Sequence, residues 1–566
     1  MSIRSKKKIS IPIAKPVVEK KNELLARLSR WGLFILFALG LALRLYHLNR
    51  NVFYFYDEGM YLNSGRILLN PLIGNPSQGL GTILSNIQHW FSLATQTDRP
   101  LWQLMVDSRI LLGATQEYWC VRGISFVMGL GALVVLYHFS WRLFSSRSTA
   151  ILSVLFLLFL PSHLFYSRSG LPEAATTFFV ISGFYFYCFP RSLGPRTFLA
   201  GLFFTCAFFT NYRLLILPIL TFAGEFLLSK AEERSLDLKK WGWTVAIFGV
   251  FILLACLNNR GEYFIVTSGW MWHQVGLAVN HFAWGNIFTY PYGLFRLESW
   301  AFGLLFSGGI YFVWKKDWLK AFPFILVCFW MTMFSFSSDK ALRYMSAVLP
   351  FMALSAAVAA VAVLESGTRK FFRQIVIVLV IIAIGTMAFK SFQLVINQSH
   401  HKRLHQYLTN LDPKAKIVST QPMILGLDYD DIHQIISCPG IKEPSFLELP
   451  ENGFNYLVLG PQAYVSWTAS GISFDGELGG FLRFFDKKVR PLNVFPHMNK
   501  TMLERFVFEH NQNLMSSITF LEKATDHAGE RRVYDIQQGL ELLEKATHLA
   551  EEMQSVKKIR TSAANR

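Results

Sequence analysis

Two adjacent carboxylates, Asp57 and Glu58, stand among aromatics (Phe53, Tyr54, Phe55 and Tyr56 before them, Tyr61 after) a few residues beyond the first apolar run of the chain. Carboxylates so near a membrane helix are costly unless they have a partner or a role. The bland reading is a helix start, because Asp followed by Glu suits a first helical turn. The chemical reading is proton acceptance: one carboxylate takes the proton of an acceptor hydroxyl as that oxygen attacks a sugar C1, and a phosphate leaves. Charge on the leaving phosphate then calls for cations nearby. Arg50, Arg66, Arg99, Arg109, Arg122, Arg168, Arg213, Arg260, Arg296, Lys340 and Arg343 all lie close to the ends of apolar runs. Taken singly, most would be ordinary ion-pair partners of Asp98, Asp107, Glu117 or Glu262. Taken together they suggest a pocket for an anionic head group, since Arg binds phosphate bidentately and Lys supplies a point charge. His273 and His281 could hold a divalent metal with Glu262 or Glu58, but their spacing fits no standard ligand pattern, and interfacial histidines are commoner. Trp270, Trp272, Trp284, Tyr290 and Tyr292 could stack on sugar or prenyl chain; an interfacial aromatic belt is the plainer explanation.

The elements that must position these residues are membrane helices. Apolar residues make up 52% of the 566, Phe occurs 52 times, and charged residues are only 16%, which is a membrane composition. About eleven segments have the length and character to span a bilayer, near 31–48, 120–141, 149–166, 173–189, 197–211, 213–229, 241–257, 300–314, 320–336, 344–364 and 371–392. Basic residues in alternate short connections (Arg142/Arg147, Arg191/Arg196, Lys230 to Lys240, Lys315 to Lys320, Arg369 to Arg373) and the basic tail 1–30 belong on the cytoplasmic side. That orientation sends the long loops 49–119 and 258–299, and everything after about 395, to the outer side. The net charge of +18 is carried by residues 1–399, with 36 Lys and Arg against 17 Asp and Glu, while 400–566 hold 19 against 20. Such a distribution fits anionic lipid and membrane orientation and argues against a nucleic-acid partner. The tail is too long and too charged to be a typical cleaved signal and reads as a cytosolic segment before a retained anchor. Of the six cysteines only Cys438 falls in the polar C-terminal third, so no disulfide framework is implied there. That third, 396–566, reads as a soluble α/β domain: Ala415–Thr420 and Asn455–Gly460 look like strands, and Val533–Val556 carries a helical period.

Several short motifs follow one another at the outer helix ends: the acidic pair after the first span, Asp98-Arg99-Pro100, Arg122 opening the second span, Ser167-Arg168 through Leu171-Pro172-Glu173, and Lys340-Ala341-Leu342-Arg343-Tyr344 running into Leu349-Pro350-Phe351. In that order they resemble the GT-C glycosyltransferases, in the branch that unites dolichyl-phosphate-mannose protein mannosyltransferases with bacterial aminoarabinose lipid A transferases. The resemblance covers roughly residues 30–395. It implies transfer of a sugar from a polyprenyl phosphate to an acceptor outside the cytoplasm, usually with inversion. It also implies Asp57 as the catalytic carboxylate with Glu58 in support, Lys340 and Arg343 near the donor phosphate, and Arg168 and Glu173 in the loop lining the same cavity. Tyr61, Arg99 and Arg122 fall in the motifs around that cavity. Two departures stand out: Leu101 replaces a second proline after the Asp-Arg-Pro turn, and Asn211-Tyr212-Arg213 stands where many bacterial members carry Thr-Lys. Arg213 could supply that cation, with different geometry.

The expectation is therefore a GT-C-like helical membrane domain over 31–395 with a C-terminal soluble α/β domain. It is expected to act as an inverting glycosyltransferase that needs no cofactor and works on a lipid, glycan or protein acceptor. The aminoarabinose branch points to a bacterial inner membrane with the active site in the periplasm. A lipid-carrier flippase or polytopic transporter would share the spans and the arginines. It would be expected to show polar residues deep in several spans or repeat-related halves, and no internal repeat stands out here. A membrane scaffold whose soluble part binds a partner would tolerate neutralisation of Lys340 and Arg343.

Overall fold

The computed structural model describes residues 23–48, 61, 99–111, 118–189, 194–257, 268–269, 284–336, 340–366, 369–397, 399–411, 416–420, 435–437, 448–461, 477–509, 513–523 and 526–548. Each of the eleven expected spans coincides with helix. In chain order the helices are α1 (Glu23–Leu45), α2 (Pro100–Leu111), α3 (Tyr118–Phe144), α4 (Arg147–Phe159), α5 (Pro161–Tyr166), α6 (Glu173–Cys188), α7 (Pro195–Thr210), α8 (Leu217–Ala231) and α9 (Leu238–Leu257). After short turns from Trp284 to Glu298 come α10 (Trp300–Ser307), α11 (Gly309–Trp314), α12 (Trp318–Ser335), α13 (Leu349–Glu365) and α14 (Lys370–Ile396). Among the described residues six helical stretches are long and apolar enough to cross a membrane: Val121–Phe144, Tyr212–Ala231, Leu238–Leu257, Trp318–Ser335, Leu342–Glu365 and Lys370–Ile396. Exposed Trp31, Phe34, Leu253, Leu257, Trp314, Phe371 and Ile381 give the bundle an apolar exterior, as a bilayer solvent demands. The chain is an integral membrane protein.

Two spans differ from the single helices expected. The eighth is interrupted at Gly308, between α10 and α11. The third breaks at Leu160, because Pro161 has no N–H to offer the carbonyl of Leu157. The N–H of Ser162, which would continue the ladder to Leu158, turns instead to Glu298 Oε2 at 3.1 Å. Two carbonyls inside an apolar bundle are thereby left over, a state that costs several kcal/mol in hydrocarbon. Arg44 of α1 repairs it. Its guanidinium donates to Leu158 O at 2.6 Å, to Leu157 O at 3.5 Å and to Gly40 O at 3.2 Å, and lies 3.0 Å from His163 Nδ1. Gly40 permits the approach, for a Cβ there would come within 2.5 Å of the Leu158 side chain.

At the other end of the bundle, buried Glu225 ties three helices together. It accepts from Tyr187 Oη of α6 at 3.1 Å and pairs with Lys240 of α9 at 3.4 Å and with Arg234 of the connecting turn.

Past α14 the chain forms α15 (His401–Leu411), β1 (Lys416–Ser419), β2 (Ile435–Ser437), β3 (Phe454–Leu459), α16 (Glu477–Lys488), β4 (Asn493–Pro496), α17 (Lys500–Glu509), α18 (Leu514–Lys523) and β5 (Glu530–Asp535). The sheet order is β2-β1-β3-β5-β4, with β1 parallel to both neighbours and β5 antiparallel to both of its own. Both expected strands are present, as β1 and β3. The expected helix at 533–556 begins later, at 536: Val533 and Tyr534 are fully buried in β5, where ladder pairing with β3 outweighs the helical period. The sheet has two small cores of its own, one on each face, around Leu457 and Phe485 and around Ile417 and Val458. Helices α17 and α18 do not join them. Met502, Leu503, Phe506, Val507, Phe508 and Leu514 belong to the large core of the membrane bundle.

Candidate active site

Tyr61 is held by Arg99 and the start of α2. The Tyr61 ring packs edge-on against Trp102, its carbonyl accepts from Gln103 Nε2 at 3.3 Å, and its hydroxyl accepts from Arg99, whose guanidinium also lies 5.7 Å from the ring centre. Gln103 is itself oriented by Asp107 at 2.7 Å. Pro100 opens α2 at a position where a missing N–H costs nothing, which leaves Arg99 just before the helix and buried.

Glu173 opens α6 behind Pro172 and is completely buried. The charges acting on it come from Arg99 and Arg343, with the Glu509 carboxyl nearby. Arg99, which holds Tyr61, and Arg343 are thus the cations whose charge reaches Glu173; all four were singled out from sequence. Lys340 is buried three residues before Arg343, at the entry to the 3-10 turn Leu342–Val348 that leads into α13. Arg213 lies with its guanidinium 4.1 Å from the Tyr344 ring centre and 4.8 Å from that of Tyr212, so cation–π contacts to residues of two turns fix it beside the same segment.

Arg168 and Arg122 are placed differently. Arg168 donates to Leu43 O, Arg44 O and Tyr46 O, each at 2.6 Å, and so satisfies the last carbonyls of α1. Arg122 reaches Leu48 O at 3.4 Å, just beyond the same helix end. Both fix the point at which the chain leaves α1 toward the acidic pair. Asp57, Glu58, Asp98, Asp339, His273, His281, Trp270 and Trp272 lie outside the described residues, as do the whole of 262–267 and 271–283. Among the described residues no group of three or more His, Cys, Asp or Glu could hold a metal ion.

A second set of polar residues, not anticipated from sequence, reaches this region from α17. Arg505 donates two N–H groups to Ser162 Oγ at 3.0 Å and pairs with Glu298 at 3.3 Å. Glu509, one turn further, accepts from Tyr166 Oη and, at 2.9 Å, from the backbone N–H of Arg343. Burial pushes the Glu509 carboxyl above its ordinary range, against the opposing pull of Arg505 and Arg343. At the rim Arg296 pairs with Glu504 at 2.7 Å, and Tyr292 stacks on Phe508 at 5.7 Å. A signal was present: α17 reads Met502-Leu503-Glu504-Arg505-Phe506-Val507-Phe508-Glu509, so that Arg505 and Glu509 sit at i and i+4 with three apolar residues between them. Charges inside an apolar helix imply partners, but not which ones.

A family model for dolichyl-phosphate-mannose-protein mannosyltransferases matches residues 103–257. No curated protein matches the chain. Among solved structures, ArnT from Cupriavidus metallidurans is similar in its apo state and when bound to undecaprenyl phosphate. Both have a TM-score of 0.48 at 14% identity over 79% of this chain, and cover 94% and 95% of the solved chains. The Archaeoglobus fulgidus oligosaccharyltransferase, tethered to an acceptor peptide, has a TM-score of 0.47 at 11% identity, over 79% of this chain and 70% of that one. The family match runs from Gln103 to Leu257 and takes in the positions of Arg122, Arg168, Glu173 and Arg213; over that part the chain is similar to the protein mannosyltransferase branch that the order of its helix-end motifs resembles.

Proposed function

We propose that the protein is an inverting glycosyltransferase that moves a sugar from a polyprenyl-phosphate donor to an acceptor on the side away from the cytosol. The observation that carries the reading is buried Glu173 under the charges of buried Arg99 and half-buried Arg343, with buried Lys340 three residues from Arg343, at the bundle end where Tyr61 packs on Arg99. Tyr61 lies four positions after Asp57 and three after Glu58 in sequence. Buried cations held beside a carboxylate suit a leaving phosphate, because a low-dielectric site strengthens each charge contact and the groups need not reorganise as charge develops. The family match over 103–257 supports glycosyl transfer. Undecaprenyl phosphate, bound by the similar ArnT, supports a lipid phosphate as donor. The basic residues of the alternate connections support the outward orientation.

In this mechanism the acceptor oxygen attacks C1 of the sugar while the bond from C1 to the phosphate oxygen breaks. The acceptor proton passes to the Asp57 carboxylate, Glu58 supports it, and the polyprenyl phosphate leaves onto Lys340 and Arg343, with Arg213 beside them. Single displacement inverts C1. The chain's own residues suffice for these steps, with no cofactor. The transmembrane glycosyltransferase domain comprises 31–395, preceded by a cytosolic tail and followed by the soluble domain from 396. In a bacterium this places the site in the periplasm. Asp57→Asn in purified, lipid-reconstituted protein is expected to lower turnover of a lipid-linked sugar by a hundredfold to ten-thousandfold, the range of a positioned base. Near-normal turnover would sink the assigned role.

A further inference from the structure

The 3-10 turn Leu342–Val348 carries Arg343 at its start, and Lys340 lies just before it. Helix starts leave backbone N–H groups without a partner in the helix, and a side chain at the N-cap position ordinarily satisfies one. Here the N-cap is Ala341, whose backbone is extended as a cap requires (φ −62°, ψ 134°) but whose methyl accepts nothing. The Arg343 N–H donates instead to Glu509 Oε2 at 2.9 Å, supplied by a helix 166 residues away in sequence. Glu509 is itself held by Tyr166 Oη and lies 3.9 Å from Arg505, which is anchored on Glu298 and Ser162. We propose that Glu509 is a positioning residue that caps this turn from the C-terminal region and thereby aims Arg343, so that α17 is a working part of the donor-phosphate site. The inference rests on the reading of Arg343 as a donor-phosphate ligand.

The test uses the full chain in lipid nanodiscs, titrated with a synthetic polyprenyl phosphate. Glu509→Met keeps the length and burial of the side chain and removes the acceptor; it is expected to weaken binding about tenfold, the effect of losing a cap. Glu509→Gln keeps an acceptor and is expected to stay within about twofold of the parent. Glu504→Ala, on the same helix, removes the rim contact with Arg296 and should also stay within about twofold, since exposed pairs contribute little. Ala341→Ser builds a local cap and should restore binding to Glu509→Met or, if that variant fails to accumulate, restore its folded yield. Unchanged affinity in Glu509→Met, an equal loss in Glu504→Ala, or no rescue by Ala341→Ser would each overturn the inference. Arg343→Gln separates the two readings: a loss there without one in Glu509→Met defeats the capping role alone, while no loss there defeats the donor-site reading and this inference with it.

Discussion

Replacing Arg505 with Met should release α17 from the membrane bundle, and the size of the effect follows from the geometry. The Arg505 and Glu298 side chains are 2% and 6% exposed, so solvent screening, which reduces surface pairs to almost nothing, does not apply. Methionine retains much of the apolar stem, so the loss is that of the charge, its hydrogen bonds and the guanidinium's contacts over the Phe165 and Tyr166 rings. Glu298 keeps the N–H and hydroxyl of Ser162 but loses its counter-ion. Removing one partner of a buried pair costs about 3–5 kcal/mol. With about 1.4 kcal/mol per decade, that is two to three and a half decades in the docking equilibrium. Amide hydrogen exchange over Lys500–Glu509 in nanodiscs reads that equilibrium directly, and protection in Arg505→Met should fall at least about a hundredfold. The double variant Arg505→Met with Glu298→Gln should recover part of the loss, because the Glu298 charge no longer stands without its counter-ion while Glu509 keeps Arg343. A fall below tenfold, or a double variant no better than the single one, would refute the view that this pair holds α17 in place.

Arg44→Leu leaves the Leu157 and Leu158 carbonyls beside Pro161 without their donor; at about 1–3 kcal/mol per orphaned group, thermal unfolding in detergent should shift down by several degrees, and an unchanged midpoint would contradict the repair. Arg168→Gln should act on stability more than on donor affinity, since its guanidinium serves the end of α1; a loss of polyprenyl-phosphate binding without loss of melting temperature would show the opposite. The Glu509 carboxyl has its folded value raised by burial above the unfolded one of about 4.3. Its contribution to docking is therefore fully present below the unfolded value and is lost as pH rises through the folded one. Exchange protection of α17 should decline across that window, and Glu509→Gln should flatten the slope.

The contrast between helix ends and helix partners explains how much could be read in advance. Apolar length alone identifies the spans, because a bilayer leaves backbone N–H and C=O groups no other way to be satisfied. The order of short motifs at their ends suffices for the family resemblance, whereas the roles of Glu173, Arg99, Tyr61 and Arg343 stay proposals that rest on that resemblance and on the charges around Glu173. Arg168 and Arg122 were expected around the donor and substrate cavity; the contacts they make are at the α1 exit, which depends on where two helices lie in space. What the linear pattern could not supply was pairing across long separations. Pro161 announces a break in the third span, yet only the packed bundle shows Arg44, more than a hundred residues earlier, arriving to satisfy the freed carbonyls. Likewise α17 reads as part of a soluble domain by its position and by the balanced charge around it. Whether an amphipathic helix buries its face against its own sheet or against a neighbouring bundle is a matter of surface complementarity, and here Phe506, Phe508 and the Arg505–Glu298 pair favour the bundle. Sequence by itself determined that a membrane protein carries carboxylates and cations at its helix ends. Only the tertiary structure decided that a helix from the C-terminal third closes onto them, because burial of charge is settled by the partner it finds.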